Sequence, residues 1–245
     1  MTAENGRRPH AVLDLPSRRL KGIKIERLLH LAGRSQPIRM LEIGTGSGGI
    51  AHYFATHSTL HCRVTAVDVV DQRMIDEGYE FRLVHGTALP FSEGSFDVIL
   101  SNHVIEHVGE RVAQLAHLRE IRRVMALGGV GYLAVPNRWM VIEPHYRLAF
   151  LSWLPARLRT PYLRLMRGGD RYDCEPLSLP QLDALLTEAG FAGHHLEVDA
   201  LRLTLALEGA HGLGAQFVGR LPDAALVHLR RFIPTLICRL EIGST

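Results

Sequence analysis

Hydrophobic residues recur in two rhythms along this 245-residue chain. Short runs rich in Val, Ile and Leu, at residues 39–43, 62–67, 81–84, 96–100 and 130–135, predict strands. Before and between them, apolar residues return every three or four positions, the period of one helix face. That spacing predicts helices over residues 20–31, 48–57 and 109–127, with a short one around 71–77. Strands that alternate with helices pack as a parallel sheet covered on both faces, the doubly wound α/β plan. A ligand of such a sheet lies beyond the carboxyl ends of its strands, so residues there are the first suspects for chemistry.

The alternation stops at Pro136. Residues 137–175 read as an insertion within a single domain covering 1–245. Regular patterning resumes in "SLPQLDALLTEAGF", a helix with Ser178 as its N-cap and Gly190 closing it. A further helix ends at Pro234 and leads into a last strand over 235–240, while residues 200–221 show no clear period.

Composition narrows the class. Hydrophobic residues at 47% and charged residues at 22% suit a soluble globular domain, with disorder expected only in the polar first dozen residues. The net charge of +3, with no long Lys/Arg run, argues against a nucleic-acid partner. Cys62, Cys174 and Cys238 are an odd number, far apart and in no C-x-x-C pairing, so the expectation is a reduced, cytoplasmic protein without a zinc site. No signal peptide, membrane-spanning run or internal repeat is read.

Chemistry concentrates in "RMLEIGTGSGGIAHYF". Gly44, Gly46 and Gly49 have the G-x-G-x-x-G spacing of a turn whose backbone N–H groups approach a nucleoside cofactor, and Asp68, ending the second strand, is placed for ribose hydroxyls. Glu42 discriminates between cofactors. A pyrophosphate about 4 Å from its carboxylate would be repelled by roughly 4 kcal/mol at an effective dielectric of 20. The ammonium and sulfonium of S-adenosylmethionine would instead be attracted. The plainer alternatives are a Glu42 that only orders the turn through backbone N–H groups, an empty tight turn, and an Asp68 that caps a helix.

Through "LEIGTGSGG", "VTAVDVVDQRM", "LVHGTALPFSEGSFDVILSNHVIEHV" and "LREIRRVMALGGVGYLAVPN" the chain resembles class I S-adenosylmethionine-dependent methyltransferases, in particular the small-molecule branch called methyltransferase type 11. The resemblance implies a mostly parallel, seven-stranded, Rossmann-like sheet with an antiparallel last strand and a helical lid over 137–175. It implies that Glu42, Gly44, Thr45, Gly46, Ser47 and Gly48 hold the methionyl part of the cofactor and Asp68 the ribose. Val69 and Met74 would lie against the adenine, the 86–88 loop with Thr87 and Ala88 would meet its edge, and Asn102 with His103 would close the pocket floor. Thr87 departs from the family, which commonly has an acidic residue there; a threonine hydroxyl would accept from the adenine amino group more weakly than a carboxylate.

Methyl transfer to a hydroxyl needs a proton acceptor as well as alignment. The candidate bases are His145 in "IEPHYRL", then His103 and His107 in "SNHVIEHV", against the plain reading of structural histidines. Glu106 and Glu143 with these histidines could hold a divalent metal such as magnesium, although no spacing specifies one and the expected set of metal ligands is none. Residues 146–167 mix Phe150, Trp153, Leu154 and Tyr162 with Arg157, Arg159, Arg164 and Arg167. Two short helices broken at Pro155 and Pro161, covering the substrate cleft or a homodimer partner, explain this pattern; peripheral membrane contact with a lipid-linked glycan is the alternative. The expected reaction is O-methylation of a small acceptor, with a sugar or glycan intermediate ahead of an aromatic or amine natural product. An NAD-dependent oxidoreductase and a non-catalytic binding module are the competing classes.

Overall fold

The computed structural model describes residues 14–243 apart from 36, 58, 144, 168, 210 and 211, so the disorder expected of the first dozen residues lies outside the described residues. Asp14 accepts the backbone N–H of Ser17 at 3.2 Å and, with Pro16 in the first turn, starts α1 (Leu15–Leu28) five residues ahead of the apolar period that predicts it. Residues 31–33 form a separate 3₁₀ turn. Then follow β1 (Ile38–Ile43), α2 (Gly49–Thr56), β2 (Cys62–Asp68), β3 (Glu80–Leu83), β4 (Phe96–Asn102), α3 (Arg111–Val124) and β5 (Met125–Pro136). The insertion contributes β6 (Ile142–Glu143), β7 (Leu148–Ala149) and α4 (Ala156–Leu165). After it come α5 (Leu179–Glu188), β8 (Phe191–His195), α6 (Glu197–Glu208), α7 (Leu213–Arg220), α8 (Asp223–Leu229) and β9 (Thr235–Ile242).

The main sheet has the strand order β3-β2-β1-β4-β5-β9-β8. The first five are parallel, and β9 runs antiparallel to both β5 and β8. Alternation along β1 divides the core. Leu41 and Ile43 pack with residues of α3 and α5, whereas Ile38 and Met40 pack with residues of α1 and α2. Glu42 has the parity of the second set, which turns its carboxylate toward α1 and α2 rather than toward α3.

Several expectations are corrected. No helix forms over 71–77: Asp71 accepts the Arg73 N–H at 3.2 Å and its guanidinium at 2.9 and 2.8 Å, and the N–H groups of Met74 and Ile75 donate to Ser47 O. Those donors serve the glycine turn and have nothing left for an i→i−4 ladder. Helix α3 stops at Val124, because residues 125–129 already belong to β5, with a register shift opposite Phe96 and Val98. The unexpected strand β8, "FAGHH", is an edge strand with mostly exposed side chains and a glycine, which removes the periodic signal. Ser178 caps α5 through reciprocal bonding with Gln181, as its sequence predicts.

The insertion is less helical than expected. Strands β6 and β7 pair as a hairpin, and a 3₁₀ turn at 151–153 precedes α4. Pro155 does precede α4, but Pro161 sits inside that helix instead of ending it. Arg159 leaves the expected basic face: it is buried, donating to Leu154 O at 2.9 Å and reaching Glu175 at 3.3 Å. Leu151, Leu163, Tyr172 and Cys174 give the insertion its own small core. Among the described residues, no helix is long and apolar enough to cross a membrane.

Candidate functional site

The turn after β1 has room for glycine only. Gly44, Gly46 and Gly48 take φ of +79°, +52° and +82°. A Cβ on Gly44 would come within 2.3 Å of Val104 Cγ2, and one on Gly48 within 2.3 Å of Ile75 O and the Tyr79 hydroxyl. Gly49, at negative φ, is instead pressed by α1, its Cβ position lying 2.6 Å from Arg18 Cβ. Asp68 ties the turn to β2. Its Oδ2 accepts the Gly46 N–H at 2.9 Å and its Oδ1 the Val69 N–H at 2.7 Å. Thr45 donates to Val67 O at 3.2 Å.

Glu42 is only 3% exposed. Burial raises its pKa to about 8, helped by Asp68 and opposed by a bond from the Ala51 N–H and by the Arg18 charge. The carboxyl thus takes a donor at the start of α2, where the Gly48 cap has no side chain to do so. Among the described residues its other oxygen, Oε2, has no hydrogen-bond partner, and neither do Ser47 Oγ, Asn102 Oδ1 and Arg18 Nε, all of them buried atoms. Unsatisfied buried polar atoms are costly in a folded chain, and four around one turn fit a polar ligand that completes them. Val69 and Met74, expected against an adenine, are 53% and 58% exposed. Thr87 is half-buried and Ala88 exposed, on the loop after Val84, whose N–H donates to Asp68 O at 2.9 Å.

A second cluster begins where β4 ends. His103 takes φ +59°, and its N–H donates to Ala134 O of the neighbouring strand. The 3₁₀ turn 105–107 buries Glu106 to 1% exposure, with Oε1 3.3 Å from His103 Nδ1 and 4.0 Å from His107 Nε2. The insertion brings His145 against this turn, its ring 6.4 Å from that of His103 and 5.7 Å from that of His107. His145 Nδ1 lies 2.8 Å from Oε1 of the fully buried Glu143, whose Oε2 accepts the Tyr146 N–H. Burial by itself would lower the His145 pKa; the Glu143 bond, with Glu106 and Asp173 nearby, outweighs it and leaves the pKa raised. Cys174 Sγ is 3.8 Å from His107 Nδ1, and burial with the surrounding carboxylates pushes its pKa far up. The Glu175 N–H donates to Glu106 O at 2.8 Å, fastening the end of the insertion to this turn.

All three sequence-predicted histidines therefore meet at the carboxyl end of the sheet, at the loop that follows Asn102. Two groups that the fold brings to these clusters were invisible in sequence. Arg18 carries no motif and reaches the turn only because α1 packs across α2; its pKa is lowered by burial, against Glu42 and Asp14. Cys174 reads as an isolated cysteine until the insertion folds. A hollow of about 400 Å³ lined by Arg34, Asp97 and Leu127 lies at the opposite, amino end of β1 and β4 and gathers no comparable set of groups.

Comparison with known proteins bears on this geometry. Residues 41–133 match the methyltransferase domain family of type 11. A ubiquinone biosynthesis O-methyltransferase of Parvibaculum lavamentivorans is 28% identical over 135 residues, 49% of this chain and 50% of that protein. Norajmaline N-methyltransferase of Rauvolfia serpentina is 29% identical over 102 residues, covering 38% of this chain and 34% of that protein. The matched part spans half or less of the length of these curated relatives. A crystal structure of a methyltransferase from Methanosarcina mazei shares the fold with TM-score 0.55 at 16% identity, covering 89% of this chain and 98% of that one. The matched domain and the sheet order together support a class I S-adenosylmethionine-dependent methyltransferase of the type 11 branch, the solved structure showing the fold. S-adenosylmethionine is the cofactor of that class, and the polar atoms left open around Glu42 fit it.

Proposed function

We propose that this chain methylates a hydroxyl of a small acceptor, a sugar-type alcohol in preference to a phenol or an amine, at the carboxyl end of β4. Glu42 faces the cofactor's cationic groups, Arg18 its carboxylate, Ser47 and Asn102 the methionyl part, and Asp68 the ribose. Bound there, the cofactor supplies an electrophilic methyl group on a sulfonium. Gly44, Gly46 and Gly48 let the backbone come close, while Val69 and Met74 offer apolar surface to the adenine and Thr87 and Ala88 its edge.

The observation that carries the hydroxyl reading is the meeting of His103, His107 and His145 around the buried Glu106. An amine acceptor needs no base once neutral, and a phenol with pKa near 10 needs little help. An alcohol needs a positioned acceptor for its proton, worth roughly 10²–10⁴-fold. His145 is the first choice, because Glu143 orients its ring at 2.8 Å in the manner of a base held by a buried carboxylate. The relatives' names divide between O- and N-methylation, so the acceptor must be tested directly. S-adenosylhomocysteine release should be measured with glycosides, phenols and amines in parallel. Turnover confined to amines would overturn the proposal, and His145→Gln should lower kcat by about 10²-fold or more with S-adenosylhomocysteine affinity unchanged.

A lipid-linked acceptor is the second reading. Phe150, Leu158, Leu165 and Met166 are exposed on the insertion beside the exposed Arg157, Arg164 and Arg167, a combination suited to an anionic bilayer surface. Sedimentation with vesicles containing phosphatidylglycerol tests it; no binding at low salt would dismiss it.

A further inference from the structure

We propose that the histidine cluster is a binding site for one borderline divalent transition metal ion, of the zinc class, with Glu106, His107 and His145 as ligands. The three offer a carboxylate oxygen and two imidazole nitrogens that all lie within 4.8 Å of one another. Metal bonds of about 2.0–2.2 Å require closure of these donors by fractions of an ångström to an ångström, within reach of side-chain rotation.

Three independent observations favour an ion. Glu106 is 1% exposed, and among the described residues neither of its oxygens accepts a hydrogen bond, although Oε1 lies 3.3 Å from His103 Nδ1 and 4.0 Å from His107 Nε2. A carboxylate buried without donors is expensive unless a cation meets it. His145 Nδ1 is bound to the buried Glu143, which orients Nε2 as the ligand nitrogen; a carboxylate behind a metal-bound histidine is the usual outer partner of such ligands. The donor set itself, two imidazole nitrogens and one carboxylate oxygen, favours zinc over magnesium, while Cys174 Sγ, 3.8 Å from His107 Nδ1 and 4.0 Å from His145 Nδ1, lies beside the other ring nitrogens and is not a ligand. Two imidazoles and one carboxylate leave a coordination position open, which suits an acceptor oxygen.

This inference rests on the hydroxyl reading and deepens it. An acceptor hydroxyl on the ion loses its proton more readily; the O–H bond breaks, the oxygen keeps the electron pair, and His103 takes the proton. His145 then serves as ligand in place of base.

Zinc alone is the probe. The full chain, stripped with a chelator, should take up one Zn²⁺ equivalent in competition with a chromophoric chelator, and a large excess of Mg²⁺ should not displace it. Glu106→Gln and His107→Ala should each weaken Zn²⁺ binding at least about tenfold while S-adenosylhomocysteine still raises the melting temperature, which shows an intact fold. His195→Ala is the competing arm, because His195, Glu197 and Cys238 form a second cluster of possible donors. Zinc lost on His195→Ala but kept by the Glu106 and His107 variants would overturn the assignment. So would a stripped wild-type chain that takes up no zinc at micromolar concentration, whatever the variants do. Turnover of an alcohol that survives chelation would leave the proposed function standing and remove the metal.

Discussion

Glu42 makes a quantitative prediction. In the free protein its pKa is about 8, chiefly because the carboxyl is buried. At pH 7 only about one chain in eleven carries it ionised, and at pH 6 about one in a hundred. A cofactor bearing a sulfonium and an ammonium binds the ionised form, so its apparent affinity scales with that fraction. Between pH 6 and pH 8 ionisation of Glu42 should therefore tighten S-adenosylmethionine binding about fiftyfold, equivalent to roughly 2.3 kcal/mol, of which loss of the cofactor's own ammonium proton near pH 8 takes back about a factor of two. At pH 7, complex formation should release close to one proton, about 0.9, per cofactor bound. Isothermal titration in buffers of different ionisation enthalpy measures both quantities. Glu42→Gln should abolish the rise in affinity toward pH 8 and the proton release together, leaving only the roughly twofold weakening that loss of the cofactor's ammonium proton causes. An affinity flat from pH 6 to 8 in the wild type, or a rise retained in the Gln variant, would refute the reasoning that joins burial to cofactor charge. Folding stability of the cofactor-free protein follows the same linkage. With the folded pKa above the unfolded value of 4.5, the contribution of Glu42 is full below pH 4.5 and is lost as pH rises through about 8.

His117 predicts the opposite trend. It is fully buried against Ser101, and burial depresses its pKa to about 4, so stability present above pH 6.5 should fall by about 3 kcal/mol as pH drops toward 4. Urea unfolding of His117→Gln should show less of that loss; an unchanged acid transition would place its cause elsewhere. Asp68→Ala removes charge-assisted bonds to the turn and to a ribose, and should weaken cofactor binding by about 1.5–3 kcal/mol, ten- to a hundredfold. Unchanged affinity would take Asp68 out of the site. Gly48→Ala drives a methyl group into Ile75 O and the Tyr79 hydroxyl at positive φ, so it should lower the melting temperature and cost at least about 1–3 kcal/mol. A neutral result would mean that the turn relaxes freely.

What could be read along the chain was whatever local periodicity encodes. In the runs 39–43 and 96–100 every residue but Arg39 and Asp97 is buried, so clustered Met, Leu, Ile, Val and Phe were enough to announce the central parallel strands although Glu42 interrupts the first. The glycine spacing and Asp68 were legible for a related reason: a tight turn needs its glycines in order, and strand length sets where the next carboxylate falls. Edge strand β8 was silent because one row of neighbours and an exposed surface demand little of its side chains.

Other features exist only through contacts distant in sequence. The helix expected over 71–77 failed because its donors found Ser47 O, more than twenty residues earlier. The charge state of Glu42 depends on burial beneath α2 and on an arginine of α1, neither of which the motif contains. His145 is separated from His103 by α3 and β5 and lies between the strands of the β6–β7 hairpin, and packing of the insertion onto the 105–107 turn makes the two neighbours. A short-range pattern can specify backbone shape, since propensity and alternation act over a few residues. It cannot specify a proton affinity or a cluster of ligands, because those depend on which remote atoms exclude water and which remote charges remain once it has gone.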